Sequence, residues 1–86
     1  SRKASQESSD KVREFANALY NRQLYPQAIQ EYQDYLEHYN VSQGEQANIT
    51  YTIANIYFDR LHDYENALAN YLKIRHFYPE SNLQTE

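Results

Sequence analysis

YPQAIQEYQDYLEHYN, residues 25–40, and YENALANYLKIRHFYP, residues 64–79, are two versions of one segment, the second lying 39 residues after the first. Tyr25 matches Tyr64, Ala28 matches Ala67, Tyr32 matches Tyr71 and Tyr39 matches Tyr78. In each copy the apolar residues recur three and four positions apart, which places them on one face of an α-helix. The likeness extends both ways. HYNVSQGEQ at 38–46 aligns with FYPESNLQT at 77–85 at the same offset, and FANALYNR at 15–22 aligns with IANIYFDR at 53–60 at an offset of 38. The one-residue difference is expected between Arg60 and Tyr64, because chains tolerate insertions best in turns. A period of this length marks a stacked-repeat architecture.

Each unit reads as two helices. In the first helix Val12, Phe15, Ala16 and Leu19 form an apolar face, and residues 21–24 turn the chain. Pro26 suits the first turn of the second helix, where its missing N–H would have had no partner anyway. That helix carries Tyr25, Ala28, Ile29, Tyr32, Tyr35, Leu36 and Tyr39 inward and Glu31, Asp34 and Glu37 outward. Ser42 with Glu45 reads as a capping box for a third helix over residues 43–60, with Ile49, Ile53, Ile56, Tyr57 and Leu61 on its buried face. Asp63 is expected to cap the fourth helix, whose apolar positions are Tyr64, Ala67, Leu68, Tyr71, Leu72, Ile74 and Tyr78. Pro79 ends it. Ser81 and Gln84 then repeat Ser42 and Glu45. The organisation predicted is a linker or frayed helix start at 1–8, repeats at 9–42 and 43–81, and the stub of a fifth helix at 82–86.

Composition agrees with this. With one Gly and two Pro in 86 residues, the chain lacks the turn residues that sandwiches and barrels need every ten positions or so, and one small all-helical domain is expected. A net charge of −4 with scattered basic residues argues against nucleic acid, whose phosphates require a positive surface. No apolar run approaches the roughly 20 residues of a membrane span, so no membrane insertion by this segment is expected. The lack of cysteine excludes disulfides, thiolate chemistry and Cys-based zinc sites within these residues. The lack of methionine suggests that residue 1 lies inside a longer parent or follows a removed tag.

The repeated positions resemble the tetratricopeptide repeat, with its pattern W-x2-L-G-x2-Y, then A-x3-F, then P. The first unit supplies Val12, Phe15, Ala16 and Leu19, then Ala28, Tyr32 and Asn40; the second supplies Thr50, Ile53, Ala54 and Tyr57, then Ala67, Tyr71 and Pro79. Departures are the missing Trp, Leu19 where Tyr is usual, Asn40 in place of Pro, and extra residues read as one more helical turn at 43–46. The resemblance implies an all-α fold, a right-handed solenoid of two antiparallel helix hairpins, four helices plus the stub. It also implies close approach of Ala16 to Ala28 and of Ala54 to Ala67, with Tyr32 and Tyr71 filling the space between successive hairpins. The lengthened unit and the Tyr78–Ser81 close are similar to the subgroup in bacterial envelope proteins such as the Tol-Pal system coordinator and the outer-membrane assembly lipoprotein. That likeness implies a periplasmic or cell-envelope parent, with a cytoplasmic one as the alternative.

In such a solenoid the first helix of each hairpin lines a concave side that takes peptides or partner helices. The resemblance places Asp10, Arg13, Asn17, Tyr20 and Asn21 there from the first unit, and Asn48, Tyr51, Asn55, Phe58 and Asp59 from the second. The partner-binding candidates are Arg13, Asn17, Tyr20, Asn21, Tyr51, Asn55, Phe58 and Asp59. Asn can donate to a peptide carbonyl and accept from its N–H, while Tyr20, Tyr51 and Phe58 are aromatic anchors the repeat does not need for its core. Arg13 with Asn17 resembles half of a carboxylate clamp, but Thr52 stands where its second Asn would be, so a clamp is not expected. His38, His62 and His76 lack metal-site spacing and read as surface or capping residues. No phosphate loop or nucleophile motif is present, and no catalysis, metal or cofactor is expected. The function implied is a non-catalytic scaffold binding a protein or peptide in the groove. The alternative is a self-association module in which a second copy buries Leu68, Tyr71 and Leu72.

Overall fold

The computed structural model describes residues 6–77, with side chains described over 9–75. It is all-helical, with α1 Gln6–Asn21, α2 Tyr25–His38, α3 Gln43–Asn55, a π turn Ile56–Arg60 that continues α3, and α4 Tyr64–Phe77. The expected close at Tyr78–Ser81, the Ser81 cap and the stub at 82–86 lie outside the described residues, as do residues 1–5 of the expected linker. Residues 6–8, also assigned to the linker or a frayed helix start, belong to α1. No helix among the described residues is long and apolar enough to cross a membrane. The chain divides between Val41 and Ser42 into two compact units, each a helical hairpin.

In the first hairpin α1 packs on α2. Ala16 and Ala28 are completely buried, with Ile29, Tyr32 and Tyr35 beside them in the core. Small side chains let helix axes come within about 8–10 Å of each other. Phe15 departs from expectation, being 53% exposed. An i, i+3, i+4, i+7 pattern contains the lines 12–15–19 and 12–16–19, and the helix turns the second inward. The outward acids are also less free than the pattern suggests, since Glu31 and Asp34 are half-buried.

Three residues reverse the chain after α1. Gln23 adopts φ 65°, the left-handed conformation that ends many helices. Its N–H donates to the Tyr20 carbonyl at 2.9 Å, and the Leu24 N–H reaches back to Leu19 at 2.9 Å. This pair of bonds is the Schellman closure, and it satisfies two carbonyls the helix end would otherwise leave open. No side chain caps α2, and Pro26 sits in its first turn.

The second hairpin packs α3 and its π turn on α4 around Ala47, Ile49, Ile53, Ala54, Ile56, Ala67 and Ile74. Ser42 caps α3 by accepting from the Glu45 N–H at 3.1 Å. Asp63 caps α4, one carboxylate oxygen accepting from the Asn66 N–H at 3.2 Å and the other from its side-chain amide at 2.8 Å. Asn70 is buried and donates one amide N–H to the Asn66 carbonyl at 2.9 Å, which offsets part of the cost of taking the amide out of water. Tyr64, Leu68 and Leu72, expected on the apolar face of α4, are instead exposed, because Ala67, Asn70 and Ile74 form its inner line.

The extra residue of the second unit is not in the turn, where the sequence led us to expect it. The Leu61 N–H donates to Ile56, five residues back, at 3.1 Å, which is the bond that defines a π turn. The Asp63 N–H then reaches Tyr57 at 2.8 Å, the counterpart of the Leu24 to Leu19 bond with one residue more between the partners. His62 takes the left-handed position at φ 54°, the counterpart of Gln23. Widening one helical turn absorbs the insertion, and both hairpins close through a left-handed residue followed by an N–H that reaches back into the first helix.

Candidate interaction site

The eight candidate residues occupy four slots used twice. Arg13, Asn17, Tyr20 and Asn21 on α1 correspond to Tyr51, Asn55, Phe58 and Asp59 on α3 and its π turn. Four positions spaced i, i+4, i+7 and i+8 share one helix face, so within each hairpin the set is brought together. Phe58 and Asp59 lie in the π turn, where one face of the helix is locally re-aimed.

The second slot carries the clearest geometry. The Tyr32 hydroxyl, on α2, donates to the Asn17 side-chain carbonyl, and the Tyr71 hydroxyl, on α4, donates to that of Asn55. Tyr32 and Tyr71 were expected to fill space between successive hairpins; their hydroxyls reach back within their own. Each Asn carbonyl therefore accepts from the neighbouring helix, and that bond does not engage its amide N–H groups. Burial pushes the Tyr32 phenol above its usual value, with Tyr20 adding to the effect. Tyr71 is raised first by burial, then by Tyr51 and Asp59. Both hydroxyls thus keep their protons and act as donors.

The third slot holds an aromatic ring against the second helix in both hairpins. Tyr20 meets Tyr25 edge to face at 5.4 Å between ring centroids, and Phe58 meets Tyr64 in the same way at 5.2 Å. Such pairs contribute roughly 0.5–1.5 kcal/mol beyond their buried area. Phe58 nonetheless keeps 47% of its surface exposed. Tyr51, in the first slot, also remains exposed while its ring lies 6.0 Å from that of Tyr71. Arg13 forms an ion pair with Asp10, 3.6 Å apart and one turn away on the same helix. Asn21 and Asp59 are exposed.

Tyr32 and Tyr71 were not among the residues singled out as site components. The signal was in the sequence, since each stands in the same repeat slot relative to its Asn, fifteen and sixteen residues on, the difference being the π-turn insertion.

One grouping among the described residues brings potential metal ligands together. Asp34, Glu37 and His38 on α2 place one ligand atom each within 4.8 Å of one another. The His38 Nδ1–H donates to the Asp34 backbone carbonyl at 3.2 Å, which leaves Nε2 as the ring acceptor. All three come from one turn of a single helix, and Glu37 and His38 are exposed to water. His62 shares a 3.3 Å hydrogen bond with the Tyr64 hydroxyl at the turn.

Comparison of the chain with protein-family models, with curated proteins and with solved structures finds no match.

Proposed function

We propose that this chain is a tetratricopeptide-like pair of hairpins and serves as a non-catalytic protein-interaction scaffold. Its ligand is an extended peptide or a partner helix, held by the first helix of each hairpin. The observation that carries this reading is the repeated Tyr-to-Asn hydrogen bond. A carboxamide anchored through its carbonyl is held in one orientation, so the donor it presents costs little side-chain entropy when a peptide carbonyl takes it. Exposed aromatic surface at Tyr51 and Phe58 supplies the apolar contact that polar groups alone lack. Asn21 and Asp59 extend the same face with polar groups.

The experiment is selection of binders to the whole chain from a displayed random-peptide library, followed by amide chemical-shift mapping with a synthesised binder. Shifts concentrated at Arg13, Asn17, Tyr20 and Asn21 and at Tyr51, Asn55, Phe58 and Asp59 support the reading. Binders whose shifts fall on α2 and α4 alone contradict it.

A further inference from the structure

Corresponding slots of the two hairpins differ in charge. The first slot holds Arg13 on α1 and Tyr51 on α3, and the fourth holds Asn21 and Asp59. Arg13 pairs with Asp10 on its own helix, whereas Asp59 is exposed and forms no ion pair among the described residues. The second hairpin therefore presents a carboxylate to water where the first presents a neutral amide.

Asp59 stands one turn beyond Asn55 and shares its face. Tyr71 reaches that face from α4, its hydroxyl on Asn55 and its half-buried ring edge to face with Tyr51 at 6.0 Å. After burial and Tyr51, it is Asp59 that raises the Tyr71 phenol, so the carboxylate lies within electrostatic reach of that side chain. Burial and Tyr20 raise Tyr32, with no carboxylate among the causes. The basic residues of the second hairpin lie elsewhere. Arg60, next in the chain, faces another side of the helix. The contacts of Tyr51 with Tyr71 and of Phe58 with Tyr64 show that the helices run antiparallel, so Lys73 and Arg75 lie toward the start of α3 and away from Asp59. His62 is turned to the Tyr64 hydroxyl.

We propose that the second hairpin selects a lysine or arginine side chain of the bound peptide, its charged head at Asp59 and its methylene stem along the Tyr71 ring. Long basic side chains lay their stems on apolar surface while the head keeps a polar partner, and a cation is drawn to an aromatic face as well as to a carboxylate. An acidic side chain at this place meets repulsion from Asp59. The inference rests on the peptide-binding reading and refines it by giving the ligand's chemistry at one position. Asn21, in the same slot of the first hairpin, has no charge with which to make this demand.

Parallel selection from a displayed random-peptide library tests this on the whole chain and on two variants, Asp59→Asn and Asp59→Lys. Wild-type binders whose chemical shifts map to the Tyr51, Asn55 and Asp59 face are expected to share a Lys or Arg. On Asp59→Asn that preference is expected to vanish, and on Asp59→Lys it is expected to give way to Asp or Glu. Replacing the shared basic residue of one binder by Gln should weaken binding to the wild type by about fivefold and leave binding to Asp59→Asn nearly unchanged. Binders that map to this face with no basic preference, or with the same preference on all three proteins, overturn the proposal and leave the scaffold reading standing. Binders that map only to α2 and α4 overturn both, so the shift map tells the two failures apart. Circular dichroism checks that the helices persist; should Asp59→Lys lose them, the near-isosteric Asp59→Asn carries the test.

Discussion

The Tyr32 hydroxyl donates to the Asn17 side-chain carbonyl, tying α2 to α1 at the slot that faces the proposed ligand. One side chain thus serves the hairpin through its oxygen and, in the proposed reading, keeps its nitrogen for a ligand. The same arrangement of Tyr71 and Asn55 in the second hairpin shows that the repeat extends to individual hydrogen bonds.

Removing the hydroxyl should cost stability without disturbing the fold. Tyr32→Phe and Tyr71→Phe are each expected to destabilise by about 0.5–1.5 kcal/mol, the net worth of one such bond. A double-mutant cycle on Tyr32→Phe and Asn17→Ala in urea unfolding reads the coupling directly. Strict additivity of the two changes would mean that the bond contributes nothing.

Alkaline pH should reach the same bonds. Both phenols titrate above their unfolded value of about 10, so the folded chain holds these protons more tightly than the unfolded chain. The associated stability is fully present below about pH 10 and is lost as pH rises toward the folded-state values. Thermal melts in the wild type should decline over that window. In the Tyr32→Phe/Tyr71→Phe double variant the decline should be shallower, and equal slopes would contradict the assignment.

Gln23 and His62 hold left-handed backbone conformations that cost an L-residue roughly 1–2 kcal/mol. Glycine removes that cost but brings greater freedom to the unfolded chain. Gln23→Gly and His62→Gly are each expected to stabilise by up to about 1 kcal/mol, read as a rise in melting temperature. Gly44, in the first turn of α3, offers the opposite change. A methyl group there meets no atom within 4 Å, so Gly44→Ala is expected to stabilise by about 0.5–1 kcal/mol.

The π turn predicts an unusual tolerance. Deleting Arg60 should convert Ile56–Arg60 to ordinary helix and leave a closure like that after α1, with a stability change of about 1 kcal/mol or less. Loss of cooperative unfolding in the deletion variant would show that the wider turn is indispensable.

The four helices and the caps at Ser42 and Asp63 were legible in the sequence, because period and capping chemistry are local properties. The position of the insertion was not. Alignment shows that a residue is added, but whether a turn lengthens or a helix widens depends on where backbone bonds can be satisfied, as the Leu61 to Ile56 bond shows. Phe15 was misplaced for a related reason, since two apolar lines share one periodic pattern and only packing on α2 chooses between them. The Asn positions emerged from resemblance, while their Tyr partners required the pairing of two helices to be seen.

The most direct test of the scaffold reading is the affinity of a library-selected peptide for the Asn17→Asp/Asn55→Asp double variant. Aspartate keeps an oxygen for each Tyr hydroxyl but has no N–H to offer a peptide carbonyl. Helical content should match wild type, and binding should weaken about 10- to 30-fold, as expected for two lost hydrogen bonds of about 1 kcal/mol each. An intact fold that binds the peptide with undiminished affinity would contradict the account.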